Sequence, residues 1–255
     1  MLCIRPLPLP RWGRGYERRC CNLTNKHTRG FDHVDTWIFD LDNTLYPASC
    51  RLFDQIDVKI GAFVSNLLGI DPSEARRIQK AYFYEYGTTL RGLMSEHKVA
   101  PEEFLDFVHD IDHSPVPANR LLDEALHALP GRKLIFTNGT VAHARKVLAR
   151  IGVTHHFGDI FDIVHSDYIP KPAIGPYRKF IGQTGIDPTR SAMFEDIARN
   201  LEAPHELGMT TVLVTSPDNT DAKHLNSLDG GAGAHVHHVT DDIAAFLSRL
   251  VADRN

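Results

Sequence analysis

Two carboxylates one residue apart, Asp40 and Asp42, close an apolar stretch in WIFDLDNTLYP, residues 37–47, with Thr44 just behind them. Other polar groups follow apolar runs in the same way: Thr137-Asn138 after KLIF, Lys171 on a later loop after IVHSDYIP, and Glu195-Asp196 after SAMF. In open parallel sheets ligands bind beyond the carboxyl ends of the strands, so these groups are candidates for one shared site. Four carboxylates gathered there repel one another, each pair by about 4 kcal/mol at about 4 Å and an effective dielectric of roughly 20. A cation must sit among them. Hard oxygen donors favour Mg²⁺, which keeps part of its water and bridges to substrate phosphate. Lys171 adds a second positive charge, and the set suits phosphoryl transfer, where catalysis is mostly positioning and charge neutralisation.

Taken singly, each group has a plainer role. Asp42 and Asn43 are turn formers, Thr137-Asn138-Gly139 can end a strand, Lys171 can be a solvated loop charge, and Glu195-Asp196 suits a helix N-terminus. Their common position just past apolar runs is what links them. The spacing of Asp40 and Asp42 has a local reason, since residues i and i+2 of an extended backbone point the same way.

The elements that must position these groups are legible as a rhythm. TWIFDLD, KLIFTNG, IFDIVHS, SAMFEDI, TTVLVTS and AHVHHVT read as short buried strands, with helical patterns such as VAHARKVLARIG, IGPYRKFIGQTG and LEAPHELG between them. That alternation predicts an α/β fold, a Rossmann-like parallel sheet flanked by helices. About 85 residues separate the first two strands, far more than one crossover needs. The excess contains helical patterns in RLFDQIDVKIGAFVSNLLGI, DPSEARRIQKAYFYEYG and APEEFLDFVHD, with Asp71-Pro72 and Pro101-Glu102 placed as helix starts. A small all-helical cap over 48–125 is expected, with the α/β core made of 31–47 and 126–255.

Bulk properties exclude several classes of function. Hydrophobic residues make up 42% of 255, and no apolar run approaches the roughly 20 residues that a membrane span requires. Net charge is −4, but residues 1–30 carry +6 and the remainder −10, a poor match for nucleic-acid phosphates. The basic opening, residues 1–30, is aperiodic and rich in Pro, Gly and Arg, so a disordered extension is expected there. Cys3, Cys20, Cys21 and Cys50 make no disulfide framework, which fits a reduced, cytoplasmic protein. The His-rich HVHH at His235, His237 and His238, and the pair His155-His156, read as chance neighbours among fifteen histidines, with no nearby carboxylate or cysteine that completes a metal site. DGGAGAH lacks the Lys-Ser/Thr of a phosphate loop and reads as a flexible connector.

The ordered phrases DLDNT (40–44), TNG (137–139), KP (171–172) and EDIARN (195–200), with helices inserted between the first two, resemble the four motifs and cap of the haloacid dehalogenase superfamily. The resemblance covers residues 34 to about 245. It implies that Asp40 is a nucleophile forming an aspartyl-phosphate, and that Asp42 is first an acid to the leaving alkoxide and then a base to water. It further implies that Thr137 binds a phosphate oxygen, helped by the amides of Asn138 and Gly139, and that Lys171 pairs with nucleophile and phosphate. Mg²⁺ would be held by Asp40, the backbone carbonyl of Asp42, and Asp196; Glu195 would hold a metal-bound water and Asn200 would orient Lys171 or the motif loop.

FDLDNTLYP and YGTTLRGLM resemble a narrower branch, the pyrimidine 5′-nucleotidases of that superfamily. The substrate implied is a small phosphomonoester, a pyrimidine nucleoside 5′-monophosphate such as UMP or CMP. Thr88, Thr89 and Arg91 would touch its base or ribose and Tyr86 would stack on it; a surface Arg91 and a Tyr86 packed in the core of the cap are the plainer readings. A phosphatase of phosphoglycolate or a sugar phosphate, a phosphosugar mutase, and a non-catalytic binding module are the alternatives. A dehalogenase also uses an aspartate nucleophile, but needs neither the second acid nor the Glu195-Asp196 pair. The sequence leaves the oligomeric state open.

Overall fold

Why the apolar runs become strands is visible at their centre. Thr36, Trp37, Ile38 and Phe39 are all buried, and they alternate in direction: Trp37 and Phe39 pack to one side, Ile38 to the other. The computed structural model describes residues 29–228 and 233–254. The basic opening, save Arg29 and Gly30, and the glycine-rich stretch 229–232 lie outside the described residues.

Six strands, β1 (Thr36–Phe39), β2 (Arg132–Phe136), β3 (Asp159–Phe161), β4 (Ser191–Glu195), β5 (Thr210–Val214) and β6 (His238–Thr240), form one sheet in the order β3-β2-β1-β4-β5-β6. Every neighbouring pair is parallel, with Phe39 opposite Ile135 on one side and Phe194 on the other. The chain moves outward from β1 in both directions, so the switch point falls at the β1 carboxyl end, where a ligand crevice opens.

Helices cover both faces, as a parallel sheet requires. They are α1 (Leu52–Leu68), α2 (Pro72–Tyr86), α3 (Thr89–His97), α4 (Pro101–Val108), α5 (Arg120–Ala128), α6 (Val141–Ile151), α7 (Ile174–Thr184), α8 (Glu202–Glu206), α9 (Thr220–Leu228) and α10 (Ile243–Arg254). On one face Phe39, Ile135 and Phe194 join Leu122 and Leu126 of α5, Val147 and Leu148 of α6 and Leu247 of α10. Phe39 and Phe194 stack with centroids 4.8 Å apart. On the other face Ile38, Leu134 and Met193 meet Tyr177 and Phe180 of α7. Each such fully buried large side chain contributes about 1.5–3 kcal/mol.

Helices α1 to α4 lie between β1 and β2 and build an apolar cluster of their own, with Ile56, Val64, Leu90, Leu93, Phe104 and Val108 at its heart. The start signals work as the sequence suggests: the Asp71 carboxylate accepts from the amides of Ser73 and Glu74, and Pro101 opens α4. Within the same insert TTLRGLM forms α3, which the Thr88 side chain caps by accepting from the Arg91 amide. Helix α5 packs against the sheet rather than into that insert cluster. Among the described residues no helix is long and apolar enough to cross a membrane.

Candidate active site

Beyond β1 the chain turns sharply, with Asn43 in the left-handed region at φ 59°, a conformation that Asn tolerates better than most residues. The turn sends the Asp40 and Asp42 side chains into one cavity but to different partners. Asp40 Oδ1 accepts from the Lys171 ammonium at 2.7 Å, and its Oδ2 accepts from the Thr44 hydroxyl at 2.9 Å. Asp42 Oδ1 accepts from the Tyr46 hydroxyl at 2.6 Å and lies 2.9 Å from His143 Nε2.

Lys171 is buried and sits between loops. Its ammonium also donates to Glu195 at 2.5 Å and to the Phe136 carbonyl at 3.1 Å, while its own amide donates to Asn138 Oδ1 at 3.0 Å. The second oxygen of Glu195 accepts from Asn200 Nδ2 at 3.1 Å and from the Ile197 amide at 3.3 Å. Both Glu195 oxygens are therefore engaged. Glu195 thus anchors the lysine, and Asn200 is linked to Lys171 through it. Asp196 accepts from Asn219 Nδ2 at 2.6 Å.

Thr137 closes β2, its amide donating to the Phe161 carbonyl at 3.0 Å. Its hydroxyl oxygen accepts from the Gly139 amide at 2.9 Å, which leaves the hydroxyl proton to donate into the cavity. The Gly139 amide, expected to face phosphate, is thus turned to Thr137. A β-carbon at Gly139 would lie 3.6 Å from Asp42 Oδ2, so its lack of a side chain keeps that oxygen clear.

One oxygen each from Asp40, Glu195 and Asp196 lies within 4.8 Å of the others, and all three residues are buried. Lys171 is the ammonium bonded among them. Burial, followed by the Glu195 charge, pushes the Asp40 carboxyl up to about 7 despite Lys171. Burial and the Glu195 and Asp40 charges likewise push Asp196 well above the usual carboxylate range. Such a surplus of buried negative charge, offered by hard oxygens, fits a divalent cation held by Asp40 and Asp196.

Asp42 behaves in the opposite way. Burial alone would raise it, but the charge and hydrogen bond of His143, then the bond from Tyr46, outweigh burial and hold the carboxyl below its ordinary value. His143 is itself part of a chain, its Nδ1 lying 3.1 Å from His113 Nε2, while His113 Nδ1 lies 3.1 Å from the Ile111 carbonyl. A carbonyl only accepts, so His113 carries its proton on Nδ1. Burial and the neighbouring His143 depress its basicity, so His113 is neutral and its Nε2 accepts from His143 Nδ1. That leaves His143 Nε2 to share a proton with Asp42. His109 stacks on His143 at 4.7 Å, its own basicity lowered to about 4 by burial and by His143.

Sequence reasoning missed these three histidines and Tyr46. Tyr46 and His143 had a signal, lying respectively four residues after Asp42 and on the first turn of the helix that follows Thr137-Asn138-Gly139; His109 and His113 come from a stretch with none.

The cavity over the carboxylates holds about 180 Å³. Its floor includes Asp40, Asp42, Thr137, Lys171 and Asp196, and its roof comes from the insert: Phe53, Ile60, Phe83, Leu90 and Phe104 with Thr88 and Thr89. Asp57, Gln79 and Lys80 add a polar corner. There Asp57 Oδ1 accepts from Lys80 at 2.8 Å and from Gln79 at 2.7 Å, and Oδ2 accepts from Arg76 at 2.6 Å. Tyr86 and Arg91 are not brought to this cavity. They line a separate, shallow depression with Ile169 and Pro172, and the Tyr86 hydroxyl donates to Glu96 at 2.8 Å. The physical reason is the helix that TTLRGLM forms: it buries Thr89 and Leu90 and carries Arg91 to another side.

The chain is 27% identical over 195 residues to "Phosphate metabolism protein 8" of Saccharomyces cerevisiae, a stretch covering 69% of this chain and 60% of that protein. It thus spans about three fifths of that relative's length. Among solved structures it resembles the L-2-haloacid dehalogenase of Xanthobacter autotrophicus, with a TM-score of 0.52 and 14% identity over 87% of this chain and 100% of that one. A phosphatase of the same superfamily from Thermococcus onnurineus gives a TM-score of 0.50 and 18% identity over 78% of this chain and 99% of that one. Likeness at such identities speaks for the fold alone. The model of haloacid dehalogenase-like hydrolases, however, matches residues 34–208, and a match over that share of the sequence means that the chain belongs to this hydrolase family.

Proposed function

We propose that the protein is a Mg²⁺-dependent phosphatase of small phosphomonoesters, working through an aspartyl-phosphate at Asp40, with pyrimidine nucleoside 5′-monophosphates as its substrates. The observation that carries this reading is the contrast between two neighbouring carboxylates. Asp40 is bonded to Lys171 among further buried carboxylates, whereas Asp42 is held apart on Tyr46 and His143. A dehalogenase needs the first acid only; a phosphatase needs both, in different roles.

In this scheme Asp40 attacks phosphorus while Lys171 keeps its carboxylate in line, and the bond from phosphorus to the ester oxygen breaks. The proton that Asp42 shares with His143 Nε2 passes through Asp42 to the departing alkoxide. Asp42 then takes a proton from water, which attacks the phosphoryl group and releases phosphate from Asp40. Thr137 donates its hydroxyl proton to a phosphate oxygen. Asp40, Asp196 and the Asp42 backbone carbonyl would hold a divalent cation, which would supply neutralisation of the phosphate charge. The leaving group lies under the insert, with its apolar body against Phe83 and Phe104 and its polar edge toward Thr88, Thr89 and the Asp57-Gln79-Lys80 corner.

The test is hydrolysis of p-nitrophenyl phosphate with and without Mg²⁺, followed by a panel ranking UMP and CMP against AMP, phosphoglycolate and glucose phosphates. Turnover that vanishes with chelator and returns with Mg²⁺ is expected; turnover indifferent to chelator sinks the metal role. Asp40→Asn should lose nearly all activity while keeping the wild-type circular dichroism spectrum. A preference for phosphoglycolate or a sugar phosphate would displace the nucleotide assignment and leave the phosphatase standing.

A further inference from the structure

The carboxylate nearest the pair His155-His156 in sequence, Asp159, lies 3.7 Å from Arg132, and the fold brings another carboxylate to the histidines from a distance. Asp123, on the first turn of α5, brings Oδ1 to 2.7 Å from His156 Nε2 and 3.2 Å from His155 Nε2. The two imidazoles lie with centroids 4.0 Å apart, and one donor atom from each of the three residues falls within 4.8 Å of the others. The side chain of His156 is 7% exposed, that of Asp123 38% and that of His155 63%, so the group has a buried base and an open mouth.

We propose that Asp123, His155 and His156 bind a divalent transition-metal ion of the Zn²⁺ class, at a second site separate from the carboxylate cluster. Two imidazole nitrogens and one carboxylate oxygen are a donor set that selects such ions over Mg²⁺, which prefers oxygen alone. The size is right: zinc–ligand bonds of about 2.0–2.1 Å in a tetrahedron place donor atoms about 3.3 Å apart. The spacings to Asp123 are already near that figure, and small side-chain rotations on an open surface complete it. Both rings direct the same nitrogen at one carboxylate oxygen. On binding, each Nε2 lone pair turns to the metal while the proton it carried moves to Nδ1 or leaves to solvent. Three protein ligands leave a fourth position for water.

Position distinguishes this group from the active site. Residues 154–156 lead into the amino end of β3, whereas the carboxylate cluster lies at the strand carboxyl ends. The ion would cross-link α5, the helix that returns the chain from the insert, to the connection between α6 and β3. Its effect is therefore on stability: an ion that binds the folded chain alone raises Tm with its concentration.

The full chain, kept in excess Mg²⁺, should be titrated with Zn²⁺ by calorimetry and with Co²⁺ as a coloured stand-in, beside His155→Ala and Asp123→Asn. Wild type should bind one equivalent more than His155→Ala, show visible Co²⁺ absorption that the variant lacks, and gain Tm on adding Zn²⁺. Asp123→Asn keeps the shape and loses the charge; its affinity should fall at least tenfold. Equal stoichiometry and equal affinity in wild type and His155→Ala would overturn the proposal, as would a wild-type Tm that Zn²⁺ does not raise. The turnover of His155→Ala with Mg²⁺ should match wild type, so the outcome is independent of the phosphatase assignment.

Discussion

Asp42 Oδ1 accepts from Tyr46 and shares a proton with His143 Nε2, in a chain whose direction traces back to a backbone carbonyl at Ile111. Under the proposed scheme His143 would be a positioning residue, holding the Asp42 side chain in place and sharing its proton. His143→Ala should therefore harm substrates according to their need for a protonated leaving group. With UMP, whose alkoxide is a poor leaving group, kcat should fall by about 10–100-fold. With p-nitrophenyl phosphate, whose phenolate leaves without help, the fall should be several times smaller. Steady-state kinetics on both esters checks this, and equal losses would reduce His143 to a packing role. Tyr46→Phe removes the other donor and should show the same ordering with a smaller loss.

At the level of elements, α1 and α2 are pinned by Asp57, whose side chain bridges Lys80, Gln79 and Arg76. Burial raises its carboxyl, but the bonds and charges of Lys80 and Arg76 more than offset this and lower it below the ordinary value. A depressed carboxyl stabilises the fold above the unfolded value, near pH 4, and that contribution is lost as pH falls through the folded value. Asp57→Asn should cost about 1–3 kcal/mol at pH 7, read from urea unfolding, with the difference from wild type shrinking below about pH 4. The contrast with the sheet shows what sequence can carry. Strand carboxyl ends are marked by an abrupt change from apolar to polar, so Asp40, Thr137 and Glu195 could be placed before any coordinates. Which face of α2 or α3 meets the cavity is decided by neighbours distant in sequence, and Tyr86 turned to Glu96 is the result. His109 and His113 reach His143 across about thirty residues, beyond any periodicity.

For the molecule as a whole, buried groups of opposite sign set the response to acid. Burial, then the neighbouring His143, takes His109 down to about 4; burial, then His205, does the same to His237. An unfolded histidine titrates near pH 6.5, so the contribution of these two groups to stability declines as pH falls from about 6.5 to 4, while the raised carboxyls of Asp40 and Asp196 act in the opposite direction over the same window. Thermal unfolding recorded from pH 7 to 4 should therefore show His237→Asn losing less Tm, or gaining more, than wild type over that range; identical pH profiles would remove His237 from the acid response. The insert and the sheet meet elsewhere through Arg199 over the Phe83 ring at 5.4 Å and through Tyr168 donating to Glu102 at 2.8 Å. Between these contacts lies Gly87, at φ 85°, where a β-carbon would come within 3.1 Å of the Pro170 ring and 3.3 Å of the Lys171 carbonyl. The joint between roof and floor is thus bare backbone laid on the peptide that carries the ammonium. A side chain at position 87 would press on that peptide, so the seat of the insert and the seat of the ammonium are fixed by one and the same close approach.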